Sequence, residues 1–200
     1  LPTPEQWDAT PAPVRNDRTF DTATGTITVD MTLPEEKSAN NPAVDYQLIA
    51  EPEAGGVKLT VKLDQPLPAD LQGKAGFNLE FMPAVFIGKS YQADADGDGN
   101  YDDYGVFPLT AQGDLEEVER ARTGDQLWYV QDWNEDRGNY QPLPFAEGEK
   151  MTFAAEDDDY RIRITSDTGS MQLLDGRLRA QNGWFVLREL IPTGKTEIVW

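Results

Sequence analysis

The chain has 200 residues, and its 36 acidic and 17 basic side chains give a formal charge of −19 at pH 7. A domain-sized chain of this charge repels nucleic-acid phosphates and anionic lipid head groups, so neither nucleic acid nor membrane is an expected partner. The absence of His and Cys excludes Ser-His and Cys-His catalysis, His-ligated metals and disulfides, while 38% hydrophobic residues can still build a core.

Along the chain, Pro2, Pro4, Pro11 and Pro13 first predict an extended, edge-like segment. Period-2 alternation follows. Ile27, Val29, Met31 and Leu33 alternate with Thr and Asp over 26–33. Residues 43–50 form the next strand candidate, and Val57, Leu59, Val61 and Leu63 alternate with Lys58, Thr60, Lys62 and Asp64. Such alternation puts one face in a core and the other in water, as antiparallel sheets do. Further strands are predicted at 75–82, 126–131, 150–155, 169–174, 183–190 and 195–200, with Ile162 and Ile164 alternating with Arg161 and Arg163. Only 114–122 reads as a short helix, with Asp114 and Glu117 in capping-box positions. About ten short strands with almost no helix predict an all-β, antiparallel two-sheet β-sandwich, jelly-roll-like, in a single module over 1–200. Long loops are expected at 91–106 and 132–149, where binding on a rigid sandwich usually sits.

The first of these loops carries Asp94-Ala95-Asp96-Gly97-Asp98-Gly99-Asn100-Tyr101-Asp102-Asp103. Carboxylates at positions 1, 3 and 5 of a turning loop converge on one hard cation. Gly99 allows the turn, the Asn100 carbonyl is a donor, and Asp102 stands at the ninth position. Oxygen-only ligation of this kind suits calcium, with Asp94, Asp96, Asp98, Asn100 and Asp102 as the ligand set. The pattern resembles the DxDxDGxxD calcium loops of EF-hand-like and other extracellular modules. It departs from them at position 12, where Gly105 replaces the bidentate Glu. The alternative is a solvated acidic turn.

The segment 127–140, which runs from the strand predicted at 126–131 into the second loop, mixes aromatics with amides and acids: Trp128, Tyr129, Gln131, Asp132, Trp133, Asn134, Arg137, Asn139 and Tyr140. Flat C–H faces of sugar rings pack on aromatic planes, and sugar hydroxyls pair with amides and carboxylates. Trp133, Tyr140, Trp128 and Tyr129 are therefore the candidate carbohydrate-binding residues. Trp128 reads equally as a core side chain, and Trp184 is expected in the core.

Several segments resemble the N-terminal β-rich accessory region of bacterial glycoside hydrolase family 9, the cellulase-like multidomain enzymes. They are Pro4-Glu5-Gln6-Trp7-Asp8, 71–83, Gly88-Lys89-Ser90-Tyr91, Leu174-Asp175-Gly176-Arg177 and 180–188. The resemblance implies an exported bacterial protein and a module excised from a longer chain, which continues into an immunoglobulin-like domain and a helical catalytic barrel. The catalytic acids of that family lie in the barrel, so it implies no catalytic residue here. The expected function is a non-catalytic carbohydrate-binding or accessory module of a polysaccharide-degrading enzyme. Its expected partners are a polysaccharide or oligosaccharide and a neighbouring catalytic domain of the same chain. Two other readings stay open: a structural domain that packs on the catalytic domain without a ligand, and a glycosidase using two carboxylates.

Overall fold

The computed structural model describes residues 12–35, 43–69, 71–72, 75–109, 144–177 and 183–200. Among these the chain is nearly all β, in three antiparallel sheets, and the one α-helix is the turn α1 (Pro83–Phe86). The expected helix at 114–122, the strand at 126–131 and most of the loop at 132–149 lie outside the described residues.

One sheet runs β1 (Val14–Phe20), β2 (Ile27–Leu33), β3 (Val44–Glu53), β4 (Gly56–Leu63) and β13 (Glu197–Val199) in that spatial order. β1 is fully exposed at its edge, downstream of the prolines, which suit an edge because they cannot donate to a ladder. β3 and β4 form a tight hairpin pairing Glu53 with Gly56, and Gly55 takes a positive φ of 86°, which glycine adopts at no steric cost.

The other two sheets are β10 (Ile162–Thr165), β9 (Lys150–Phe153), β6 (Ser90–Asp94), β7 (Asp103–Val106), and β5 (Gly76–Phe81), β12 (Phe185–Leu190), β11 (Met171–Asp175), β8 (Ala146–Gly148). They enclose an aromatic core of Phe86, Phe107, Phe153 and Phe185 with Met151, Met171, Leu173 and Leu187. Its rings meet edge-on or tilted, with Phe107 5.1 Å from Phe153 and 4.8 Å from Phe185. That geometry sets positive ring edges on negative faces. A second core, of Tyr46, Val61, Leu63, Leu67, Leu71, Ala75, Ile191 and Ile198, seats the five-stranded sheet. The antiparallel all-β expectation holds, with the strands shared among three sheets. The alternating residues of β2 are only half-buried, and Trp184 is half-buried beside fully buried Phe185.

Glu189 of β12 is 1% exposed and ties β12 to the segment before β11 and to the residue that follows β13. Its carboxyl accepts hydrogen bonds from Thr168 Oγ1 (2.5 Å) and Trp200 Nε1 (2.7 Å). Trp200 packs against both cores. Burial pushes the Glu189 carboxyl above its ordinary pKa of 4.5, although these donors pull it down. Unfolding returns the group to water, where it ionises from about pH 4.5. Its contribution to stability is therefore complete below that pH and is lost as pH rises through the higher folded-state value. Urea unfolding at stepped pH should show the parent losing stability over this window relative to Glu189→Gln. Parallel profiles for the two proteins would refute the assignment.

Candidate metal centre

Residues 91–106, read from the sequence as a loop, are largely a hairpin. β6 pairs with β7 from Ser90↔Val106 to Ala93↔Asp103, and only the acidic tip turns. β6 also pairs with β9, in a register that ends on Asp94↔Lys150. Asp94 thus closes a strand that is paired on both sides, and it is 1% exposed despite its charge.

Glycines and short acceptors shape the tip. Gly97 and Gly99 adopt φ of 75° and 97°, where a side chain would be strained. Asp96 Oδ1 accepts from Asp98 N (3.2 Å), Asp98 Oδ1 from Asn100 N (2.7 Å), and Asp94 Oδ2 from Gly99 N (2.9 Å). The tip closes through Asp102 N to Ala93 O (2.9 Å) and Ala95 N to Asp102 Oδ2 (2.8 Å). Tyr101 is pinned to β9 by a hydroxyl contact with Thr152 (3.0 Å).

This folding brings together Asp94, Asp96 and Asp102, each with a potential ligand atom within 4.8 Å of the others. Asp98 stands outside the group. Its carboxylate takes both the backbone N–H and the side-chain amide of Asn100, and the backbone N–H in particular holds its pKa below the ordinary carboxylate value. Asn100 is thereby tied to Asp98.

Two features test whether the group suits a cation. The Oδ1 atom of Asp94 is buried and has no hydrogen-bond partner. A buried carboxylate oxygen left unpaired is costly, and a hard cation would satisfy it. The second feature is Lys150, whose Nζ lies 3.7 Å from Asp94 Oδ2 and donates to Gly97 O (2.6 Å). This ammonium offsets part of the charge of the tip, on the Oδ2 side of Asp94. The donor set is oxygen only, the kind that a hard cation such as calcium takes. The sequence did not point to Lys150, since only the strand register sets it against Asp94.

Of the candidate carbohydrate-binding residues, Trp133, Tyr140, Trp128 and Tyr129 all lie outside the described residues. Among the described residues no helix is long and apolar enough to cross a membrane. Compared with known proteins, the chain matches no family model, no curated protein and no solved structure.

Proposed function

We propose that this chain is a non-catalytic β-sandwich module that holds one calcium ion at the β6–β7 tip and serves an exported bacterial polysaccharide-degrading protein. The observation that carries the calcium part is the orphaned Asp94 Oδ1 within a group of three carboxylates. The ion's role is structural: it ties the end of β6 to the start of β7, where acidic side chains otherwise repel one another. The polysaccharide part is supported by the chemistry of the aromatic and amide-rich segment 127–140 and by the resemblance of several segments to accessory regions of family 9 glycoside hydrolases.

Affinity electrophoresis through β-glucans, xylans and mannans, with and without calcium, tests the binding role. Stacking of one sugar on Trp133 contributes about 1 kcal/mol, so Trp133→Ala should weaken retardation about fivefold. Trp184→Phe should leave it unchanged. Release of reducing sugar would instead identify a glycosidase.

The reading as a structural domain is favoured by a specific feature. A groove of ≈340 Å³, lined by Ile27, Val29, Leu48, Leu59, Leu79 and Trp200, lies along the half-buried face of the five-stranded sheet. An apolar surface of this kind fits a neighbouring catalytic domain. Retardation by none of the polysaccharides would select this reading.

A further inference from the structure

We infer that Glu149, between β8 and β9, completes the cation site from outside the Asp loop, in place of the twelfth-position Glu that the loop lacks. This rests on the calcium reading of the hairpin tip and names a ligand for it that is remote in sequence.

The loop cannot supply that ligand itself. β7 begins at Asp103, and Gly105 pairs with Tyr91 in the ladder. A Cβ on Gly105 would stand 2.5 Å from the Tyr91 hydroxyl. The chain has therefore left the tip before position 12, and that position has no room for a side chain.

Glu149 reaches the tip from the other direction. Its N–H donates to Asp94 O (2.9 Å), fixing its backbone to the first ligand residue. Gly148 beside it packs so closely that an added Cβ would lie 2.6 Å from Asp94 O. The Glu149 side chain folds over the loop at Gly97, and its Oε2 lies 2.8 Å from where a Gly97 Cβ would stand. The missing side chain of Gly97 is thus the space that the carboxylate enters. The Glu149 carboxylate, unlike its backbone, makes no hydrogen bond or ion pair among the described residues, so no partner holds it away from an ion. This carboxylate stands outside the group of Asp94, Asp96 and Asp102 whose ligand atoms lie within 4.8 Å of one another, so it joins an ion by turning inward from Gly97. Calcium takes six to eight oxygens, and one more carboxylate, mono- or bidentate, moves a site of three acids toward that number.

Calorimetric titration of the ion-free chain with calcium chloride tests this. Glu149→Gln should weaken binding about tenfold or more, since calcium affinity follows the number of charged ligands. Glu149→Asp keeps the charge but withdraws it by one methylene, and should lose most of the same affinity. Glu147→Gln, an exposed acid on the neighbouring strand, should bind as the parent does. Thermal melts of the ion-free variants check that each is folded. If the parent binds calcium and Glu149→Gln binds equally well, the remote ligand is refuted while the calcium site stands. If Glu149→Asp keeps the full affinity of the parent, or Glu147→Gln loses as much as Glu149→Gln, only net charge is at work and the inference falls. If the parent binds no calcium at millimolar concentration, the calcium reading falls and this inference with it.

Discussion

Asp94→Asn should abolish the rise in melting temperature that calcium gives the parent. Asp94 is the only fully buried member of the carboxylate group, and the substitution keeps its shape while removing its charge. A calcium concentration a hundred times Kd stabilises a folded state that alone binds the ion by about 2.7 kcal/mol. In a chain of this size that corresponds to roughly 5 to 10 °C. Losing this buried charged ligand should weaken binding roughly a hundredfold, so at the same calcium concentration most of that shift disappears. Asp98→Asn should keep it, because Asp98 spends both oxygens on Asn100. Scanning calorimetry with and without calcium measures both. A parent whose melting temperature ignores millimolar calcium would show the tip to be an acidic turn.

The largest loss of stability is expected from Phe107→Ala. Phe107 is 0% exposed, and its ring meets those of Phe86, Tyr91, Phe145, Phe153 and Phe185. These rings come from both four-stranded sheets and the segments between them, so no single neighbour can move in to fill the void. Truncating a buried Phe costs roughly 3–5 kcal/mol, a large part of the total stability of a domain. Phe20→Ala is the contrast, since that ring is 59% exposed on edge strand β1 and its loss should stay within about 0.5 kcal/mol. Urea unfolding at neutral pH gives both values. A Phe107→Ala protein within about 1 kcal/mol of the parent would mean that the two sheets do not close over this ring.

The sequence by itself determined the strands whose apolar and polar residues alternate. β2, β4 and β10 were legible because period-2 alternation belongs to a single strand and needs no partner to be seen. The acidic turn was legible for a similar reason, since the Asp and Gly spacing of 94–102 is local. Strands β6, β7 and β8 were not legible. Ser90–Asp94 and Asp103–Val106 carry Asp and Gly and lack clean alternation, and they are strands because β9 and each other's ladders hold them. Pairing also decided that Asp94 is buried and that Lys150 and Glu149 lie beside the tip. Those last two residues are some fifty positions from the loop in sequence, and only a strand register brings them back. A turn can be read from the residues that form it, whereas the ligands that converge on it depend on which strands pair, and that is settled by burial of side chains far from the loop.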